Sequence, residues 1–189
     1  KKQFIPMKKA IQLIFFFICI SCYAQDKSSE RTISPELLRE KISKGQTENN
    51  LIYTYSDWCA PCVKEFPKVI DFCKSNNVGL YIIVLSKSGN TDLNKLELKL
   101  ENKYKLSSPE LFNFRYKEEY IDKKTKNNFK GYQAFMAELL AENYHTDYIY
   151  GWDIIVLTDK QGKTKMVSAG GSFEDVLNRI KDNLQKNEN

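Results

Sequence analysis

Apolar positions recur along this chain with two periods, and the switches between them lay out the elements. Ser34-Pro35-Glu36 reads as a helix start, with Ser as cap and Pro in the first turn; Leu37, Leu38 and Ile42 supply the apolar stripe and Gly45 ends it. Leu51 to Tyr55 is rich in β-formers and reads as a strand. Directly after it, Val63, Phe66, Val69, Ile70 and Cys73 fall at helical spacing. Gly79 then opens Leu80 to Leu85, a nearly continuous apolar run that suits a strand buried on both faces. Two strands joined by a helix of this length predict a right-handed parallel βαβ unit.

From Ser86 to about Tyr150 the chain is heavy in Lys, Glu, Asn and Tyr. Leu93, Leu96, Leu100 and Tyr104 predict one amphipathic helix there, and Tyr132, Phe135, Met136, Leu139 and Leu140 a second. The sequence then returns to strand signals. Ile154 to Leu157 is followed by the turn Asp159-Lys160-Gln161-Gly162 and a short partner strand, Lys165 to Ser168. Phe173, Val176, Leu177, Ile180 and Leu184 share one face of a closing helix. The predicted order is β-α-β, a helical stretch, then β-β-α, with no internal repeat.

The N-terminal segment follows none of these patterns. Met7-Lys8-Lys9, the apolar run Ala10 to Ile20 and the small residue Ala24 match a secretory signal peptide. The run is short for a membrane span, which needs roughly 20 apolar residues. Cleavage after Ala24 is the expected processing. Attachment of lipid at Cys22 is the alternative, because Ile20-Ser21-Cys22 is similar to part of a bacterial lipoprotein box. The domains are therefore read as a signal peptide over 1–24 and one folded domain over 25–189, with residues 87–149 as an insertion.

Charge and composition change this picture little. At 189 residues and 42% hydrophobic, the chain has the makings of a soluble domain with a sizeable core. The net charge of +5 points at first to an anionic partner, but four lysines lie in the first nine positions and no acid precedes Asp26. Beyond Ala24, 25 basic side chains face 24 acidic ones. Nucleic acid is thus not an expected partner.

Chemistry concentrates at Cys59-Ala60-Pro61-Cys62, at the junction of the first strand and its helix. The free N–H groups and positive dipole end of a helix favour an anion, so a thiol there ionises more readily than an ordinary cysteine. Cys59 is the expected nucleophile and Cys62, one turn on, the resolving thiol. Zinc is disfavoured, since no second pair exists and the chain beyond residue 24 adds only Cys73 and His145 as soft ligands. Cys73 lies on the apolar face of the same helix and reads as a packed core thiol. His145 reads as a loop residue. Three cysteines beyond the signal cannot all pair within one molecule, so this is no disulfide-stapled scaffold.

The stretch Tyr55-Ser56-Asp57-Trp58-Cys59-Ala60-Pro61-Cys62-Val63-Lys64-Glu65-Phe66-Pro67 resembles the active-site segment of thioredoxins, and Glu65 and Pro67 resemble the exported TlpA-like and ResA-like branch. The resemblance covers roughly residues 34–86 and 150–186. It implies an α/β thioredoxin-like fold, a mixed central sheet flanked by helices, with a helical insertion before the third family strand. It further implies a thiol–disulfide oxidoreductase of the cell envelope, with catalytic Cys59 and Cys62 and no cofactor or metal. Protein disulfides or dithiols are the implied substrates, and a membrane electron donor re-reduces the pair. Trp58, Ala60, Pro61, Trp152 and Asp153 are the expected substrate-contacting residues, and Pro67 stands where the family kinks its active-site helix.

Two positions depart from the family pattern. Tyr150-Gly151-Trp152-Asp153-Ile154 holds no proline where the family has a cis-proline, and a non-proline cis bond would cost about 2.5–4 kcal/mol. Tyr53 stands where many thioredoxins carry a buried carboxylate. The altered proline loop supports a rival reading: a redox-inactive thioredoxin-fold binding protein in which the insertion recognises the partner and the cysteines form a structural bridge. A related peroxidase is disfavoured, since those enzymes use a lone peroxidatic cysteine.

Overall fold

In a computed structural model of the chain, residues 32–85, 92–106, 110–114, 129–140, 154–168 and 172–185 are described. In chain order the elements are β1 (Thr32–Ile33), α1 (Pro35–Lys44), β2 (Asn49–Tyr55), α2 (Ala60–Ser75), β3 (Gly79–Val84), α3 (Leu93–Tyr104), β4 (Glu110–Phe114), α4 (Phe129–Leu140), β5 (Ile155–Asp159), β6 (Thr164–Val167) and α5 (Phe173–Gln185). The strands form one sheet in the order β1-β4-β3-β2-β5-β6.

β2 lies at the centre of the sheet and is buried on both faces. It runs parallel to β3, with Asn50 opposite Gly79 and Tyr55 opposite Val84, and antiparallel to β5, with Tyr53 opposite Ile155. Side chains alternate across a strand, and here the alternation separates two cores. Leu51, Tyr53 and Tyr55 face a cluster with Phe66, Val69, Ile70 and Cys73 of α2, Leu96 and Leu100 of α3, and Val176 and Ile180 of α5. Ile52 faces the other, with Leu38 and Ile42 of α1 and Tyr132, Phe135, Met136 and Leu139 of α4. The result is a helix–sheet–helix sandwich of thioredoxin-like topology: a parallel βαβ unit at β2-α2-β3, then an antiparallel β5-β6 hairpin and the closing helix α5.

Local signals explain the boundaries. Ser34 Oγ accepts the Leu37 N–H at 3.3 Å and starts α1, while the Gly45 N–H bonds back to the Ile42 carbonyl and ends it. The β5-β6 turn is closed by Asp159, whose Oδ1 accepts from the Gln161 and Lys163 N–H groups at 3.0 and 2.8 Å. Gly162 sits there at φ 76°, a left-handed conformation that glycine adopts without steric cost. Gly79 is required by space. A Cβ at that position would strike the Asn50 and Thr47 side chains, which bond each other at 2.6 Å beneath β3.

The stretch 87–149, expected to be a helical insertion, holds a strand as well as helices. Its two expected helices are present as α3 and α4, and between them β4 enters the sheet, pairing in parallel with β3 on one side and β1 on the other. Leu111, Phe112 and Phe114 of β4 are buried, one set on each face of the sheet. Arg39 of α1 fastens the end of α4 by donating Nη2 to the Glu138 carbonyl and, at 2.9 Å, to the Leu139 carbonyl. These are the last-turn carbonyls that a helix leaves without internal partners. Among the described residues, no helix is long and apolar enough to cross a membrane.

Candidate active site

The site begins at the C-terminal end of β2, where the chain leaves the sheet. Hydrogen bonds to residues on either side fix this exit. The Leu85 N–H bonds the Tyr55 carbonyl at 2.8 Å, and the buried Ser56 hydroxyl donates to the Leu85 carbonyl at 3.1 Å. Thr54 Oγ1 accepts the Ile154 N–H at 2.7 Å, and the Thr54 N–H bonds the Ile154 carbonyl at 3.0 Å. Strand ends from both sides are thereby locked around the point where α2 starts.

Cys59 is the N-cap of α2 and Pro61 lies in its first turn, a position where a missing N–H costs nothing. Cys59 and Cys62 form a disulfide, with sulfurs 2.01 Å and Cα atoms 5.2 Å apart. The Cys62 N–H is directed at Cys59 Sγ at 3.3 Å, and no acidic residue occupies the first turn of α2. The positive end of a sixteen-residue helix therefore faces the Cys59 sulfur without a competing carboxylate in that turn. Upon reduction the same N–H group stabilises a thiolate at Cys59.

The two sulfurs are not equivalent. Cys59 is half-buried, while Cys62 has no exposed surface. Asp57, Trp58, Ala60 and Pro61 around Cys59 are all exposed, Trp58 at 36%. An incoming group meets Cys59 first, and Cys62 stays beneath. Under the helix, the Tyr53 hydroxyl donates to the Cys62 carbonyl at 3.0 Å, and its ring stacks on Phe66. Phe66 also meets Tyr55 at 5.0 Å and the edge of Tyr104 at 5.4 Å. Burial, then the neighbouring Tyr104 and Asp57, push the Tyr55 phenol up to about 12.

One turn further along α2, Lys68 pairs with Glu65 at 2.9 Å and with Glu174 of α5 at 3.4 Å, joining the two helices at their exposed rim. Pro67 lies inside α2, so the Val63 carbonyl receives no helical N–H there. Trp152 and Asp153, expected to contact substrate, lie outside the described residues, as do His145 and residues 1–24. Tyr53, Thr54 and Ser56 were not among the expected site residues. Their roles come from partners 9, 100 and 29 residues away, which periodicity does not reveal. No group of three or more His, Cys, Asp or Glu side chains among the described residues could hold a metal ion.

Cys73 is a free thiol, 5% exposed on the inner face of α2. Burial raises its thiol from an ordinary 9 to about 12. Because thiolate is the reactive form, Cys73 is expected to resist alkylation at pH 8 while the reduced Cys59 reacts. A pH dependence follows as well. Cys73 and Tyr55 both ionise at higher pH in the fold than in the unfolded chain, so their contribution is intact below pH 9 and is lost as pH rises towards 12. Urea titrations from pH 7 to 11 should show stability falling above pH 9, with a shallower fall in Cys73→Ser.

No family model and no curated protein matches the chain. Solved structures do. A thiol:disulfide interchange protein of the thioredoxin family from Chlorobium tepidum is 15% identical and aligns with a TM-score of 0.46 over 77% of this chain and 83% of its own. The thioredoxin domain of a thiol-disulfide oxidoreductase from Bacteroides vulgatus is 16% identical, with a TM-score of 0.45 over 77% and 83%. A secreted Mycobacterium tuberculosis disulfide oxidoreductase is 14% identical, with a TM-score of 0.43 over 74% and 85%. The chain is thus similar, at low identity, to proteins of the thioredoxin family.

Proposed function

We propose that this chain is a thiol–disulfide oxidoreductase of the cell envelope that exchanges disulfides with protein substrates through Cys59 and Cys62. One observation carries the reading: the pair caps a helix N-terminus, with one sulfur reachable and the other buried. In the reducing direction, the Cys59 thiolate bonds to one sulfur of a substrate disulfide and expels the other as a thiolate. Cys62, deprotonated, then attacks Cys59 Sγ and releases the second substrate sulfur. Two electrons pass to the substrate and the protein is left as the disulfide. Trp58, Ala60 and Pro61, exposed around Cys59, are the residues a docking substrate meets there, and Trp152 and Asp153 are assigned to substrate contact on the sequence resemblance alone.

The envelope assignment is supported by the charge and apolar pattern of residues 7–24, with cleavage after Ala24 or lipid attachment at Cys22. A membrane electron donor then returns the pair to the dithiol. The experiment is the reduction potential of the Cys59–Cys62 bond, measured against glutathione alongside reduction of a model protein disulfide. A value above about −300 mV with turnover supports exchange. A value far below that, without turnover, means a structural bridge, and the binding-protein reading replaces this one.

A further inference from the structure

Cys62 is the sulfur that leaves when the disulfide opens and returns when it closes, and it does both without surface exposure. What fixes its backbone therefore sets the geometry of both events. The N–H of Cys62 points at Cys59 Sγ at 3.3 Å, and its carbonyl accepts the Tyr53 O–H at 3.0 Å. Within an α-helix such a carbonyl already has the N–H four residues on as its partner. The phenol thus occupies the second lone pair and ties the first turn of α2 to the sheet.

Tyr53 is well placed for this. It sits in mid-sheet on β2, 1% exposed, its ring held parallel to Phe66 at 5.7 Å. The hydroxyl cannot follow α2 if the helix start shifts, because the strand carrying it is paired on both sides.

We propose that Tyr53 is a positioning residue for the exchange: by anchoring the Cys62 carbonyl, it keeps the Cys62 N–H directed at the Cys59 sulfur in the dithiol as well as in the disulfide. The proposal rests on the oxidoreductase reading for its biological meaning. When the bond opens, an attacking thiolate bonds to Cys59 Sγ, the Cys59–Cys62 bond breaks, and its electron pair goes to Cys62 Sγ, which takes a proton from solvent. A second thiolate from the same dithiol then displaces Cys59 as a thiolate. The sulfurs are no longer bonded, and the helix start is free to relax unless its backbone is held. Loss of the Tyr53 hydroxyl lets the Cys62 N–H drift, so the Cys59 thiolate is less stabilised and the dithiol form loses ground to the disulfide.

The test is Tyr53→Phe, which removes one oxygen and keeps the ring. On the reduced protein, iodoacetamide alkylation of Cys59 is followed from pH 4 to 10, and the thiol–disulfide equilibrium is measured against glutathione. The expected result is a higher alkylation midpoint and about a tenfold shift of the equilibrium towards the disulfide, equal to about 30 mV. Tyr81→Phe is the control, since that hydroxyl faces the Lys41 carbonyl at 3.5 Å in the other core; neither readout should move. If Tyr53→Phe superimposes on the wild type in both, the positioning role is overturned while exchange by the wild type still stands. If the wild type does not exchange at all, the oxidoreductase reading falls, and the alkylation midpoints of the chemically reduced proteins still decide the role of Tyr53. Should the variant not fold, the wild type itself is read by NMR. A slowly exchanging Tyr53 hydroxyl proton coupled to the Cys62 carbonyl in both redox states supports the proposal, and its absence from the dithiol overturns it.

Discussion

Cys59→Ser is expected to bring reduction of a protein disulfide down to background, whereas Cys62→Ser should stall the same reaction halfway. The contrast follows from burial. Cys59 is the sulfur a substrate can reach, and its side chain receives the Cys62 N–H at the start of α2. A serine hydroxyl is far less acidic than a thiol and cannot replace it as nucleophile at neutral pH. With Cys62 replaced, attack still occurs, but the mixed disulfide has no neighbouring thiol to resolve it. It should accumulate as a slower band on non-reducing gels, with the cross-link mapped to Cys59. Cys73→Ser should keep turnover, because its thiol is buried and held protonated. A cross-link through Cys73, or full turnover in both single variants at the Cys59–Cys62 pair, would contradict the mechanism. Partners trapped on Cys62→Ser would also begin to identify the substrates.

The parts of this architecture that sequence alone makes legible are those specified within a few residues. Ser34, Pro35 and Gly45 mark both ends of α1 because caps act over one turn, and Asp159 and Gly162 mark the β5-β6 turn for the same reason. α2 is legible from its apolar spacing, and the cysteine pair from its place at a strand-to-helix junction. β1 and β4 were not expected. β1 has two residues, and β4 mixes Glu110 and Asn113 with three apolar residues, too short a run for either period to show. Each is a strand because it pairs with a neighbour from elsewhere in the chain. Tyr53 shows the same limit at the site. From sequence it is only the residue standing where a carboxylate is common, and its hydroxyl acquires a purpose once the Cys62 carbonyl lies 3.0 Å away.

Phe66→Ala is expected to have the largest effect on stability, about 3–5 kcal/mol. Phe66 is fully buried on α2 and contacts three aromatic rings: Tyr53 and Tyr55 from β2, and Tyr104 from the end of α3. Truncation removes the ring's own burial and leaves a void that these tyrosines, fixed on a paired strand and a packed helix, cannot collapse to fill. The Tyr53 ring loses a stacking partner and the Tyr55 ring a tilted one as well, which adds to the area lost. Total stabilities of single domains run only about 5–15 kcal/mol, so a loss of this size consumes a large share. In urea the transition midpoint should fall sharply while the slope stays close to that of the wild type. Phe66→Leu, which refills part of the void, should recover a substantial part of the loss. The consequence extends to the site, because the ring that Phe66 supports is the one whose hydroxyl holds Cys62. Under conditions where Phe66→Leu remains folded, its Cys59 alkylation midpoint should therefore move in the same direction as that of Tyr53→Phe. A loss below about 1 kcal/mol for Phe66→Ala, within the reach of ordinary substitutions, would mean that α2 is held to the sheet by Val69, Ile70 and Cys73 rather than by the aromatic cluster beneath its active end.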